Sequence, residues 1–141
     1  MADASLLFQW RNDPLTRQMS RETDVIPWDT HLVWLARSLA DPSRILYVGE
    51  VDGGGIGTIR LDCTGDETEI SITMAPQARR SYLVMSFLRR TLPEGRVIGW
   101  IKRENRGAQR LATLSGFHRE RDGSLQLWVR PAPPAPPHSG T

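Results

Sequence analysis

The sequence predicts an α/β (α+β) domain with a mixed central sheet of about six strands and helices on both faces. Three observations support this prediction. The hydrophobic period changes from helical to alternating near residue 44, two tight turns separate three alternating segments, and a helix then links the last of these to a further strand segment. The resulting order is two helices, a three-stranded meander, helix, strand, helix and hairpin, which favours helices packed on the faces of a sheet.

The amino-terminal part of the chain is predicted to hold two helices. Residues 4–12 carry apolar side chains at helical spacing. Residues 15–25 are polar, and we expect them to be irregular. The segment 30–40 is again periodic, and Asp29 is the predicted N-cap of its helix because aspartate accepts hydrogen bonds from the first free N–H groups.

The remaining segments predict the sheet. Three alternating strands joined by tight turns form a meander over residues 44–75. The strand 68–75, the helix 81–92 and the strand 96–102 form a β-α-β unit, which favours parallel neighbours. A last helix and a closing hairpin follow over 105–130. Ligands of open α/β sheets lie at the carboxyl ends of such strands.

Length and composition limit the classes of protein that remain. The chain has 141 residues, of which 39% are hydrophobic, and this suits a single domain over residues 1–130. The Pro-rich segment 131–141 is predicted to be a disordered tail. There is neither an apolar run long enough to span a membrane nor a secretory signal pattern.

Cysteine usage and charge give further expectations. Cys63 is the single cysteine, which excludes an internal disulfide framework and a cysteine-based zinc site, so we expect a cytoplasmic protein without a metal. The net charge is +2, with almost all of the cations arginine. This reflects either compositional bias or an anion-binding surface.

Three stretches resemble the GNAT superfamily of acyl-CoA-dependent N-acyltransferases, over Leu6 to about Arg130. "ITMAPQARR" with "SFL" is similar to the strand, loop and helix that hold the CoA pyrophosphate, and "IKRENRGAQRLATLSGF" to a later strand and helix of the family. "LLFQWRNDPLTRQMS" resembles the subgroup that acetylates nucleotide-linked amino sugars. The family usually opens with a strand before the first helix, and this strand looks missing here.

The loop of this resemblance lacks the glycines of the family pattern. Glycine lets phosphate approach backbone N–H groups closely, but here Tyr82 or Arg80 takes the central glycine position. The resemblance implies that acetyl-CoA contacts Arg79, Arg80, Ser81 and Tyr82. Two alternatives stay open: the arginines and the tyrosine replace the glycine loop, or the loop has lost its ligand.

The resemblance also implies catalytic and further cofactor-binding residues. In this family the amine attacks the thioester directly, so a base is needed and a covalent nucleophile is not. Glu69 is the predicted base, with an ordinary strand residue as the alternative, and Asp62 is a second candidate. Met74 and Ala75 offer backbone N–H groups to the thioester carbonyl, where the family's strand often bulges. Asn105 either contacts the cofactor or caps its helix, and Ala112 replaces a tyrosine acid.

Four residues are predicted on the acceptor side: Arg11, Asn12, His31 and Trp34. The alternative makes Trp34 a core residue and His31 a surface or first-turn residue. The favoured function is acetyl transfer from acetyl-CoA to a small primary amine, with a nucleotide-linked amino sugar as the finer suggestion.

Two other functions compete. The chain is either a non-catalytic binding or partner module, or a nucleic-acid binder. The second is disfavoured because the net charge is small and exposed aromatic residues do not alternate with the arginines. The resemblance also raises the expectation of a homodimer.

Overall fold

The computed structural model describes residues 3–20, 23–78 and 83–132. Five helices are present in this part of the chain: α1 (Ala4–Asn12), α2 (Pro14–Met19), α3 (Trp28–Ala40), α4 (Leu83–Thr91) and α5 (Arg106–Leu114). A short 3₁₀ turn covers Pro76–Ala78. Six strands accompany them: β1 (Arg44–Val51), β2 (Gly54–Thr64), β3 (Glu67–Met74), β4 (Arg96–Lys102), β5 (His118–Arg121) and β6 (Leu125–Arg130).

The six strands form one mixed sheet in the order β1-β2-β3-β4-β6-β5. The meander β1–β2–β3 is antiparallel, and β3 pairs with β4 in parallel. The hairpin β5–β6 closes the far edge through β6, which is antiparallel to β4. The predicted fold class, including the meander, the parallel β-α-β step and the hairpin, is confirmed. Among the described residues no strand precedes α1, and β1 forms the edge of the sheet.

Helices cover both faces of this sheet, as alternation along β2 shows. Ile59 and Leu61 are buried against Leu88 of α4. Thr58 and Arg60 point to the opposite face, where Leu7 of α1 and Trp34 of α3 lie over them. Because successive side chains of a strand point to opposite faces, α1 and α3 share one face and α4 lies on the other. The α1/α3 face is the more polar one.

The close packing of α1 on this sheet requires glycine at one position. Gly55 lies under Trp10 and Leu6, and a Cβ atom there would come within 2.8 Å of both side chains. Trp10 is 4% exposed and packs with Ala75 and Ala78 beyond the end of β3. The first helix is therefore held directly above the carboxyl end of β3.

Two local predictions are wrong. Residues 15–25 were expected to be irregular, but α2 occupies Pro14–Met19. Asp13-Pro14 ends α1 and also starts α2, since the Asp13 side chain accepts from Thr16 N–H at 3.2 Å and proline suits the first helical position. Asp29 is not an N-cap: α3 begins one residue before it, and Asp29 lies in the first turn.

Candidate functional site

The site begins where the parallel strands β3 and β4 stop pairing. Their ladder contains three pairs and ends at Glu69 opposite Ile98. β3 nevertheless continues to Met74 and β4 to Lys102. We call the facing edges 70–74 and 99–102 the β3–β4 split. The carboxyl ends of two parallel strands meet at this split, which is the usual place for a ligand in an α/β sheet.

The backbone at the end of β3 presents one N–H group to the split. Ala75 N–H donates to the Ile56 carbonyl of β2 at 2.9 Å, so it is not available to a ligand. Successive N–H groups of a strand point to opposite sides, and Met74 N–H therefore points away from β2 and towards the split. The expected bulge is not found, because β2 and β3 pair without a shift from Gly57–Met74 to Thr64–Glu67.

The loop that follows β3 is described only in part. Pro76–Ala78 forms the 3₁₀ turn, and Ala78 is buried against Trp10. The predicted phosphate ligands Arg79, Arg80, Ser81 and Tyr82 lie outside the described residues. The helix after them, α4, is described from Leu83. The strand and turn before these residues and the helix after them agree with the predicted pyrophosphate site, and the ligands themselves stay a prediction.

Glu69 lies at the closed end of the split. It is opposite Asp62 on β2 and Ile98 on β4, and its side chain shares the α1/α3 face with Ser71. Its role as base stays a prediction. Asp62 is a weaker candidate: one carboxylate oxygen accepts from Arg44 Nε at 2.6 Å and the other from Arg60 Nε at 3.1 Å. Both oxygens are therefore engaged with guanidinium groups.

Two residues of the α5 region have structural roles. The Asn105 side chain accepts from Ala108 N–H at 3.2 Å and caps α5, the second of its two predicted roles. Its contact with a cofactor stays a prediction. Ala112, where the resemblance would place a tyrosine acid, is buried among Val97, Phe117 and Trp128. A hydroxyl from this position is thus absent.

Three of the four predicted acceptor-side residues lie together. The guanidinium carbon of Arg11 is 3.9 Å from the centre of the Trp34 ring. Arg11 NH1 donates to His31 Nδ1 at 2.9 Å, and the His31 and Trp34 rings are stacked with centroids 5.9 Å apart. His31 is the fourth residue of α3, as the first-turn alternative had it, but it is not a surface residue, because the side chain is 0% exposed. It is buried because Phe8 and Trp28 pack around it.

The hydrogen bonds of His31 define its protonation state. Nε2 lies 2.8 Å from the Ala4 carbonyl oxygen, which can only accept, so Nε2 carries the proton. Nδ1 then accepts from Arg11 and the ring is neutral. Burial lowers the pKa of His31 below its ordinary value, the bond to Ala4 opposes this shift, and the charge of Arg11 adds to it. His31 therefore positions the Arg11 guanidinium and is not poised to exchange protons.

The charge of Arg11 has no acidic counterpart among the described residues. No carboxylate of residues 3–20, 23–78 and 83–132 forms an ion pair with it. Burial and the nearby charge of Arg60 lower the pKa of Arg11 to about 10. The group is still a cation at neutral pH, held in place by His31 and by the face of Trp34.

Asn12 does not join this cluster. Its amide nitrogen donates to the Ile26 carbonyl at 2.9 Å, and its amide oxygen accepts from Ile26 N–H at 2.7 Å. Both ends of the side chain therefore hold the segment before α3 against the end of α1. Its predicted contact with an acceptor stays a prediction.

A small cavity of about 50 Å³ lies between this cluster and the sheet. Its apolar wall is formed by Leu7, Trp34 and Leu46. Its polar wall contains Arg11 from α1 and four side chains from β2 and β3, namely Thr58, Arg60, Ser71 and Thr73. No acidic side chain of the described residues lines it.

Sequence reasoning missed Arg60, Ser71 and Thr73. The signal was present, because "TIRLD" and "EISIT" alternate apolar and polar residues, as a sheet face does when it turns polar groups to one side. Which helices lie over that polar face is a tertiary property. Lys102 was likewise missed as a tether: its Nζ donates to the Gln18 carbonyl at 2.9 Å and ties α2 to the end of β4.

No group of three His, Cys, Asp or Glu side chains among the described residues is arranged to hold a metal ion. No helix in the part of the chain that the structure covers is long and apolar enough to cross a membrane.

Comparison with known proteins places the fold. No protein-family model matches the sequence. No curated protein matches it either. Among solved structures, the chain is similar to spermidine N-acetyltransferase from Vibrio cholerae in complex with CoA and spermine, with a TM-score of 0.78 at 15% identity, covering 91% of this chain and 89% of that one.

Two further structures show the same architecture. An acetyltransferase of the GNAT family from Streptococcus pneumoniae superimposes with a TM-score of 0.72 at 12% identity, covering 94% of this chain and 95% of that one. A domain from Methanocaldococcus jannaschii gives 0.70 at 17% identity, with 91% of each chain covered. The chain therefore has the fold of the GNAT acetyltransferases over almost its whole length.

Proposed function

We propose that this protein is an acyl-CoA-dependent N-acetyltransferase whose acceptor is a small primary amine. The observation that carries the proposal is the β3–β4 split. It lies at the carboxyl ends of two parallel strands, directly before the loop and helix that resemble a pyrophosphate site. The same fold occurs in an N-acetyltransferase solved with CoA.

Two features fit an acyl-CoA, one in the structure and one in the sequence. Met74 N–H points to the split and would donate to the thioester carbonyl, where negative charge grows during transfer. Arg79 and Arg80 would supply charge to the pyrophosphate in place of glycine N–H groups. The bound acyl-CoA supplies the activated acyl carbon, which passes to nitrogen as the C–N bond forms and the C–S bond breaks.

Glu69 is the proposed base. Its position at the closed end of the split, on the face that also carries Ser71 and Thr73, supports a role in removing a proton from the acceptor ammonium. A base of this kind contributes about a hundredfold to ten-thousandfold in rate. Positioning of amine and thioester by the walls of the split provides the rest.

The acceptor belongs on the α1/α3 side of the split. Arg11, His31 and Trp34 lie together there, beside the cavity. A nucleotide-linked amino sugar is one acceptor within the proposed class, and the helical segment "LLFQWRND" is the sequence feature that favours it. A cytoplasmic location and a homodimer complete the proposal; the single cysteine supports the first and the family resemblance the second.

A non-catalytic binding module is the second candidate. The loop at residues 79–82 contains no glycine, and buried Ala112 provides no hydroxyl near the leaving thiolate. These two features favour loss of catalysis on a retained fold.

A transfer assay separates the two candidates. Purified protein is incubated with acetyl-CoA and a panel of primary amines, released CoA thiol is followed, and acetylated products are identified by mass. The enzyme predicts thiol release that depends on the amine, and the module predicts none with any amine. Glu69→Gln should lower the rate about a hundredfold. Glu67→Gln is the matched control, because Glu67 lies two residues away on the same strand and pairs with Arg96.

A further inference from the structure

The cavity between α1, α3 and the sheet has an unbalanced positive charge. Arg11 and Arg60 both line it, and no carboxylate of the described residues does. Arg60 shares the carboxylate of Asp62 with Arg44, and no carboxylate of the described residues pairs with Arg11. Among the described residues, the two arginines that line the cavity therefore have only a share of one carboxylate, which lies outside the lining. A partly buried cation without a counterion is costly, so such a site attracts a ligand of the opposite charge.

Donors with free hydrogens surround the same space. Arg11 uses one N–H on His31 and places its flat face on Trp34, which leaves other N–H groups at its edge. Arg60 NH2 donates to Ser71 Oγ at 3.2 Å. Since that oxygen accepts from Arg60, the Ser71 hydroxyl hydrogen remains for another acceptor.

Hydroxyl groups extend this donor set across the strands. Thr58 and Thr73 are cross-strand partners, and both line the cavity. Arginine forks combined with hydroxyl donors are the groups that bind carboxylate and phosphate oxygens.

We propose that this cavity binds an anionic group, a carboxylate or a phosphate, carried by the acceptor amine, with Arg11 and Arg60 as its ligands. The inference rests on the proposed function, because it takes the ligand to be the acceptor of the acetyl group. The similar enzyme solved with spermine holds a polyamine; this cavity has the charge that would repel one. At about 50 Å³ it takes an anionic head group and leaves the amine outside it.

The orientation of such an acceptor follows from the strand direction. Ser71 and Thr73 lie two and four residues beyond Glu69 on the same face of β3. An anion held there leaves the rest of the molecule close to the β3–β4 split, where the amine is needed. Arg11 and Arg60 thus select and orient the acceptor, and Glu69 acts on its nitrogen.

The test compares amines that differ only in the anion. Binding of β-alanine is compared with propylamine, and phosphoethanolamine with ethanolamine, by following the Trp34 indole N–H in two-dimensional NMR of the full chain without acetyl-CoA. We expect at least one of the two anionic amines, β-alanine or phosphoethanolamine, to shift the Trp34 signal saturably. The matching amine without the anion should bind at least about tenfold more weakly. The first pair reports carboxylate recognition and the second reports phosphate recognition.

Variants then assign the effect to the cavity. Arg60→Gln should weaken binding of the anionic amine about tenfold or more, and Asp62 keeps Arg44 as its partner. Arg121→Gln is the control, because it removes the same charge from an exposed residue of the edge strand β5. Ser71→Ala is the second variant if Arg60→Gln does not fold, and it should weaken binding severalfold.

The outcomes separate the inference from the function beneath it. Equal binding of both members of each pair, or equal effects of Arg60→Gln and Arg121→Gln, would overturn the anion site even if acetyl transfer occurs. Selective anion binding that Arg60→Gln abolishes supports the site. If that binding is found but no amine is acetylated, the proposed function falls and the anion site stands.

Discussion

Replacing His31 by leucine should destabilise the protein and release Arg11. His31 is fully buried, and its two ring nitrogens hold the Ala4 carbonyl and the Arg11 guanidinium. Leucine has a similar size but makes neither bond. The change therefore removes hydrogen bonds without opening a large cavity.

The size of the effect follows from these two bonds. A neutral hydrogen bond contributes about 0.5–1.5 kcal/mol net, and one to a charged group about 1.5–3 kcal/mol. The bond to Ala4 belongs to the first class and the bond from Arg11 to the second. Their sum predicts a loss of about 2–4.5 kcal/mol in the free energy of unfolding. For a chain near this size, each kcal/mol lowers the Tm by about 2–4 °C.

Urea denaturation followed by circular dichroism measures this loss. His118→Leu is the matched control, because His118 is exposed and its contact with Glu120 is 3.4 Å long at the surface. We expect the control to change stability by less than about 0.5 kcal/mol. If His31→Leu is as stable as His118→Leu, the argument that His31 anchors Arg11 is wrong.

Three further predictions follow from other residues. Because the pKa of His31 is lowered in the folded state, the unfolded chain takes up a proton on this ring at a higher pH than the folded protein does. The free energy of unfolding should therefore fall as pH drops below 6.5, by at most about 1.4 kcal/mol per pH unit. Urea titrations of His31→Leu should lack this pH-dependent component. Gly55→Ala should cost about 1–3 kcal/mol, since its Cβ would lie 2.8 Å from Trp10 and Leu6, whereas Gly54→Ala, with 3.5 Å to its nearest neighbour, should be nearly neutral in the same assay. Tyr82→Gly should change acetyl-CoA affinity about fivefold or more by calorimetry, upwards if the ring obstructs the phosphates and downwards if the hydroxyl binds them; equal affinity excludes both roles.

Periodic segments were the part of the fold that sequence reasoning predicted well. The meander, the parallel step and the closing hairpin depend on local alternation and on turn residues, and both are visible in the sequence. α2 was not predicted because a helix over Pro14–Met19 is too short to show an apolar period, and the polar residues 15–25 were interpreted as irregular. Its start depends on one capping bond from Thr16.

The site was predicted less completely because it depends on distant contacts. Arg11, His31 and Trp34 were identified from a resemblance, but the burial of His31 arises from Phe8 on α1 and Trp28 at the start of α3. The cavity needs β2 and β3 beneath α1 and α3, so Arg60 and Ser71 could not be assigned to it from spacing alone. Ala75 was chosen for its N–H, which the sheet already uses.

The most direct test of the account is titration calorimetry of the purified protein with acetyl-CoA, with CoA as the comparison ligand. The account predicts one saturable site with micromolar affinity, which corresponds to about −8 kcal/mol of binding free energy. That result would mean that the glycine-free loop after β3 still holds a pyrophosphate. No heat of binding at millimolar acetyl-CoA would contradict the proposed function and favour the non-catalytic module.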